Sequence, residues 1–217
     1  MKFYPINLDI KNKSCVVVGG GEVAFRKIRD LLSAGANVKV IAPEICAGVE
    51  ELFQRGKISL LRKNFSPDML GDEIILIAAT NNPEVNRQAA ESAQSKKILV
   101  NVVDGGGNFN VPSKIQRGDL LLTISTGGKS PAFSKFIREM LELELGENFG
   151  AGLELIARCR EKVKEISSDS QARKNFWEEF LTEEIWELLK FGLLDELEDK
   201  INYALESFGL ESQDGTY

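Results

Sequence analysis

An open, doubly wound parallel α/β sheet, followed by a small α+β segment and an all-helical C-terminal region, is the fold class this 217-residue sequence predicts. Three observations carry that prediction. Short Val, Ile and Leu runs alternate with stretches of helical spacing through the first half of the chain. The runs are too uniformly apolar for strands with one wet face, so they read as strands covered by helices on both sides. Beyond residue 148 the strand pattern stops, and the remaining segments have the periodicity of amphipathic helices rich in Glu, Lys and Leu.

Element by element, strands are expected at 14–18, 37–41, 58–61, 74–78 and 99–103, with helices between them at 22–34, 44–55 and 83–95. Gly35 suits a helix C-terminal cap and Pro83 a first helical turn. Gly105-Gly106-Gly107-Asn108 reads as a flexible turn, and a further strand is expected at 120–125. Ser130 can cap the next helix with Pro131 in its first position. Helices are then expected at 152–166, 170–181 and 183–208, and the polar end of the chain is expected to fray. The expected domains are 1–112, 113–147 and 148–217.

Composition excludes several kinds of chemistry. The chain has no histidine, which removes Ser-His-Asp and Cys-His nucleophiles and imidazole metal sites. Cys15, Cys46 and Cys159 are odd in number and far apart, so they read as reduced structural thiols, and no metal site is expected. A net charge of -6 argues against a nucleic-acid partner. No signal-peptide core and no membrane-length apolar run is present, so a cytoplasmic protein without a membrane partner is expected.

The most informative stretch is Val16-Val17-Val18-Gly19-Gly20-Gly21-Glu22-Val23-Ala24. It fits G-x-G-x-x-A between a strand and a helix, the arrangement of a Rossmann-like dinucleotide site. Gly19 permits the tight turn, Gly21 lets backbone approach a pyrophosphate, and Ala24 lets helix and strand pack closely. The backbone amides of Glu22 and Val23, aligned with the helix dipole, supply the anion site. The second strand runs into Ile41-Ala42-Pro43-Glu44 without an acid at the usual tip. Glu44 is near enough to grip the adenine ribose, and no Arg or Lys adjoins it to receive a 2′-phosphate, which favours NAD over NADP. On the other reading, Pro43 and Glu44 begin the next helix. At the end of the fourth strand, Thr80 and Asn81 either line the ribose or nicotinamide or cap the helix at Pro83.

With the glycine turn, Ala78-Ala79-Thr80, Asn101-Val102-Val103-Asp104 and Ser125-Thr126-Gly127-Gly128-Lys129-Ser130-Pro131 in register, nearly the whole chain resembles the precorrin-2 dehydrogenase family. This is the N-terminal family of the siroheme synthases. The resemblance implies NAD-dependent oxidation of precorrin-2, an anionic tetrapyrrole, to sirohydrochlorin. It further implies a homodimer whose middle segment, 113–147, swaps or interlocks between subunits, and in some members the insertion of ferrous iron to give siroheme. Carried over by position, Gly21, Glu22 and Val23 hold the pyrophosphate, and Pro43 with Glu44 make the second NAD contact. Asp104 matches the essential carboxylate, which at the end of the fifth strand can take the proton released with the hydride; the other reading makes it a cap on the following glycine loop. Thr126 stands where siroheme synthases have a serine. Thr126, Gly127, Gly128, Lys129 and Ser130 are expected to bind substrate carboxylates, with Lys114, Arg117, Lys135 and Arg138 as further cations or as solvated surface. A reading from another class is a non-catalytic NAD sensor signalling through the helical tail, which would require neither Asp104 nor the 125–131 segment.

Overall fold

Successive residues of the first apolar run enter different cores. In β1 (Ser14–Val18), Cys15 and Val17 enter one core while Val16 and Val18 enter another. In the computed structural model, which describes residues 3–103 and 105–213, β1 sits at the centre of a five-stranded parallel sheet. Its neighbours are β2 (Asn37–Ile41) and β4 (Ile75–Ala78); β3 (Ile58–Leu61) and β5 (Leu99–Val102) form the edges, in the order β3-β2-β1-β4-β5. On one face lie α1 (Glu22–Ser33) and α2 (Ala47–Gln54), contributing Ala24, Ile28, Leu31 and Val49 to the core. On the other lies α3 (Pro83–Ser95), whose Ala89, Ala90 and Ala93 allow a close approach to Val16, Leu76 and Val100.

Register brings the carboxyl ends of the strands into one row. Val18 pairs with Ile41 on one side and with Ala78 on the other, and Ala78 pairs with Val102. The chain proceeds outward from β1 through β2 to β3, then returns to the opposite side of β1 as β4. A topological switch point therefore lies between β1 and β4.

Three details depart from the sequence expectation in this unit. Ser59 and Leu61 of β3 are exposed, because an edge strand lacks a neighbour to cover it. Helix α2 begins at Ala47 rather than 44, since residues 43–46 lie over the glycine turn instead of continuing into the helix. The 105–109 turn is pinned: Asn108 Oδ1 accepts from Val100 N–H at 2.8 Å, and the Asn108 and Phe109 amides donate to Val100 O at 2.9 and 3.3 Å. Gly107 lies so close to β5 that a Cβ would collide with the Val100 carbonyl. The ends of α1 and α3 close alike, each with the two bonds of a Schellman turn: Ala36 N–H to Leu31 O with Gly35 N–H to Leu32 O, and Ile98 N–H to Ala93 O with Lys97 N–H to Gln94 O. Gly35 takes the left-handed position in the first and Lys97, at φ 61°, in the second.

The chain divides into two compact units, Met1–Val111 and Pro112–Tyr217. The second opens with an antiparallel hairpin of β6 (Ser113–Arg117) and β7 (Leu120–Ile124), followed by α4 (Pro131–Glu144), α5 (Asn148–Ile166), α6 (Ser170–Phe180), α7 (Glu183–Phe191) and α8 (Leu194–Gln213). The single helix expected over 183–208 is two helices. Gly192, at φ 73°, ends α7, with its own amide bonded to Leu189 O and the Leu193 amide to Leu188 O. Strand β6 is an addition to the expected elements, with only Ile115 fully buried along it. The helical core is aromatic: Phe176 packs against Trp177, Phe180 and Phe208 at centroid distances of 5.1, 5.7 and 5.1 Å.

Cys15, Cys46 and Cys159 are all free thiols. Burial, reinforced by the nearby Glu73 charge, pushes the Cys15 thiol up to about 11, and burial raises Cys159 to about 11 against a small opposing effect of Lys162. Neither is poised as a thiolate. Among the described residues, no helix is long and apolar enough to cross a membrane, and no cluster of three or more His, Cys, Asp or Glu side chains could hold a metal ion.

Candidate active site

The three consecutive glycines do different jobs. Gly19 has φ 122°, and a Cβ there would collide with the carbonyl of Ala79 just beyond β4. Gly20 is excluded from bearing a side chain by the Glu44 carbonyl and the Ile45 side chain. Gly21 is under no such constraint: it is exposed, its backbone at φ -81° and ψ -176° suits any residue, and a Cβ would meet nothing within 4 Å. It occupies the N-cap position of α1, where Ser, Asp or Asn would stabilise the helix better, and no side chain caps this end. Packing therefore explains the first two glycines but not the third. The open space at Gly21, beside amides that no side chain caps, leaves room for a dinucleotide pyrophosphate, so the residues present fit the group.

The first intrahelical bond is Phe25 N–H to Gly21 O at 2.9 Å, so the amides of Glu22, Val23 and Ala24 precede the helical ladder. Ala24 is fully buried, as close helix–strand packing requires. Pro43 and Glu44 are exposed and belong to the segment that packs on the same turn, where Cys46 N–H donates to Gly20 O at 2.8 Å. Neither residue lies within α2.

Across the switch point, the β1–β4 ladder ends with Ala79 N–H bonded to Val18 O at 2.8 Å. Thr80 is half-buried and Asn81 exposed. Capping of α3 falls to Asn82, whose Oδ1 accepts from the Glu84 and Val85 amides at 3.0 and 3.4 Å. The Thr80 hydroxyl is engaged with Asn86 Oδ1 at 2.7 Å and accepts from Asn82 N–H at 3.1 Å. Sequence reasoning overlooked Asn86. Its signal was available: residues 86, 89, 90 and 93 form one helical face, and Asn86 is the polar member of an otherwise alanine surface.

Asp104 lies outside the described residues. Of its neighbours in sequence, Val103 donates to Ala78 O at 3.1 Å and Gly105 to Val102 O at 3.0 Å, both at the carboxyl edge of the sheet. Asn101 is buried in β5 and donates to Phe109 O at 3.1 Å.

In the second unit, the 126–130 turn is organised by Thr126. Its hydroxyl accepts from Ser130 N–H at 3.2 Å and lies 3.1 Å from Ser130 O, and Ser134 Oγ is 3.2 Å away. Gly127 and Gly128 have φ 64° and 83° and nothing near their Cβ positions. Ser130 caps α4 by accepting from Phe133 N–H at 3.1 Å, and Lys129 is exposed. Several basic residues have internal partners. Arg117 donates to Leu145 O at 2.9 Å and pairs with Glu147 at 3.3 Å. Arg138 pairs with Glu142 at 2.5 Å, and Lys135 with Glu139 at 3.6 Å.

A cleft of about 530 Å³ lies at the opposite, amino edge of the sheet, lined by Cys15, Lys39, Lys57, Asp72 and Glu73 among others. Two of its charges, Lys39 and Glu73, are bonded to each other. Burial pushes the Glu73 carboxyl up, but the Lys39 bond and the backbone amides of Glu73 and Gly71 outweigh burial and hold it below the usual carboxylate range.

A parallel sheet with a glycine turn at its switch point defines a Rossmann-type dinucleotide-binding protein. A family of NAD(P)-binding domains matches residues 6–113, the central region of sirohaem biosynthesis proteins matches 117–142, and the sirohaem synthase dimerisation region matches 148–205. The chain belongs to the siroheme synthase N-terminal family, and its first unit is the NAD(P)-binding domain. It is similar to the siroheme synthase of Photorhabdus laumondii, 34% identical over 98% of this chain and 46% of that one. It is likewise similar to that of Ruthia magnifica, 36% identical over 95% of this chain and 44% of that one. The chain thus spans just under half the length of these relatives. The solved structure of SirC, precorrin-2 dehydrogenase, superposes with a TM-score of 0.77 at 27% identity, covering 95% of this chain and 98% of that one.

Proposed function

We propose that this protein is an NAD-dependent precorrin-2 dehydrogenase that oxidises precorrin-2 to sirohydrochlorin in siroheme biosynthesis. The observation that carries the reading is the open space at Gly21, at the switch point of a chain that matches SirC along its length. When bound, NAD supplies the hydride acceptor. The α1 amides of Glu22 and Val23 hold its pyrophosphate, with Gly19 and Gly21 shaping the approach. Glu44, beside Pro43, takes the adenine ribose hydroxyls, and the absence of Arg or Lys from 41–47 leaves no adjoining cation for a 2′-phosphate. Thr80 and Asn81 line the nicotinamide end.

Precorrin-2 gives up a hydride and a proton, and Asp104 accepts the proton. Its carboxylates need cations and amides in an acidic chain. Lys129, the amides of Gly127 and Gly128, and the Thr126 and Ser130 segment provide them. A homodimer is supported by the match to the sirohaem synthase dimerisation region and by α4, where Phe133, Phe136, Met140 and Leu143 are all exposed. Their spacing of three, four and three forms one apolar stripe fit to be covered by a second copy, within a dimerising region spanning 113–147 and the helices after it. A cytoplasmic setting accords with three free thiols.

Anaerobic mixing of the protein with NAD and precorrin-2 tests the activity. Conversion of the absorption spectrum to that of sirohydrochlorin, with equimolar NADH, is expected. Tight NAD binding without that conversion would overturn the reading.

A further inference from the structure

We propose, on the dinucleotide reading of the glycine turn given above, that Asn86 is a positioning residue for NAD: its carboxamide fixes the Ala79-Thr80 peptide that walls the turn. Asn86 is 4% exposed, in a helix face otherwise made of Ala89, Ala90 and Ala93. A polar side chain in such a place destabilises unless its groups are bonded. Here both ends of the carboxamide are used on a single residue. Oδ1 accepts from Thr80 N–H at 3.1 Å and from the Thr80 hydroxyl at 2.7 Å, while Nδ2 donates to Thr80 O at 3.0 Å.

The location gives the clamp its purpose. Strand β4 ends at Ala78, and the last bond to β1 comes from the Ala79 amide. Thr80 has therefore left the sheet, and Asn86 supplies from a helix the amide and carbonyl partners that a neighbouring strand would have given. What this holds in place is the Ala79 carbonyl and the Thr80 amide, the groups that fill the space where Gly19 would carry a Cβ. The 79–80 peptide is gripped by Asn86 on one side and packs on Gly19 on the other. Loosening the grip lets the glycine turn relax away from the geometry that presents the Glu22 and Val23 amides. Asn86 acts on the nucleotide site through its hydrogen bonds to Thr80.

The test measures NAD affinity by calorimetry on the whole 217-residue chain, at a temperature where each variant is folded, with thermal melting recorded alongside. Asn86→Ala is expected to raise the Kd for NAD about tenfold, since small misplacements of binding groups carry large costs. Asn86→Asp keeps the size and the acceptor but sets an oxygen against the Thr80 carbonyl. It is expected to raise the Kd about fivefold, and it decides the matter if Asn86→Ala does not fold. Ala90→Gly weakens the same helix without touching Thr80, and is expected to lower the melting temperature while leaving the Kd unchanged. Asn86 variants that melt lower yet bind NAD as tightly as Ala90→Gly would show a purely structural role and overturn the proposal. Gly21→Asp separates the two layers of reasoning. If it binds NAD like the wild type, the glycine-turn reading fails; if it loses NAD while the Asn86 variants keep it, only the role of Asn86 fails.

Discussion

At the amino edge of the sheet Glu73 is 6% exposed and saturated by Lys39 and the Gly71 amide, and Lys39 also donates to Met69 O at 2.8 Å. At the carboxyl edge the first amides of α1 precede the helical ladder and have no side-chain cap, beside a glycine that packing does not require. The amino edge has a cleft of about 530 Å³ and several charged side chains, which would attract attention on size and charge alone. The contrast lies in particular polar groups and not in free volume: the fold uses up the Lys39–Glu73 pair and leaves the first α1 amides without a side-chain partner. Lys39 and Glu73 tie β2 to the loop before β4; the groups at the glycine turn are available to a ligand.

Four experiments test this contrast. The largest effect is expected from Asp104→Ala, which should lower turnover about 10²- to 10⁴-fold with NAD affinity and melting temperature near wild type. Turnover within a few-fold of wild type would remove Asp104 from the chemistry. Next comes a paired substitution at the turn. Gly19→Ala should destabilise by about 2 to 4 kcal/mol, because it combines a positive φ with a backbone collision, measured by urea unfolding. Gly21→Ala should cost less than about 0.5 kcal/mol and yet weaken NAD binding; equal stability losses at the two positions would erase the distinction between them.

At the amino edge, Glu73→Gln should destabilise by about 1 to 3 kcal/mol while leaving the Kd for NAD unaltered. Because the folded protein holds this carboxyl below its ordinary range, its stabilisation is present above the usual glutamate range and is lost as pH falls through the depressed folded value. The wild type should accordingly lose its advantage over the Gln variant on acidification, and an advantage constant with pH would contradict the pairing. The smallest effect is a gain. Lys97→Gly, relieving a left-handed residue in the α3 Schellman turn, should raise stability by about 1 kcal/mol, whereas the already glycine-capped end of α1 offers nothing to relieve.

Much of this architecture could be read in advance, for identifiable reasons. The five strands are legible because each is a short run rich in Val, Ile and Leu set between helical stretches, and α3 because Pro83 and its alanine face mark it. The α7–α8 break escapes periodicity because the apolar spacing continues through Gly192, although the left-handed glycine ends the first helix. Strand β6 escapes because Ser113-Lys114-Ile115-Gln116-Arg117 buries a single apolar side chain, leaving the Gly118-Asp119 turn as its main signal. At the site, the glycine turn is legible because backbone geometry dictates its residue types. Asn86 is legible only as the polar member of an alanine face; its role is not, because that comes from Thr80, a partner six residues away whose position depends on where β4 stops. Nor could composition tell that Arg117 and Arg138 have partners within their own unit.

The fold-back after β5 leaves the five-stranded sheet with unlike margins. On the β5 side, Asn108 and Phe109 have taken up the outward amide and carbonyl of Val100, and Gly105 has taken the carbonyl of Val102. An incoming extended peptide finds that border hemmed by the chain itself. Any sixth strand, whether from a fusion partner or from a misfolded neighbour, would have to be recruited alongside β3.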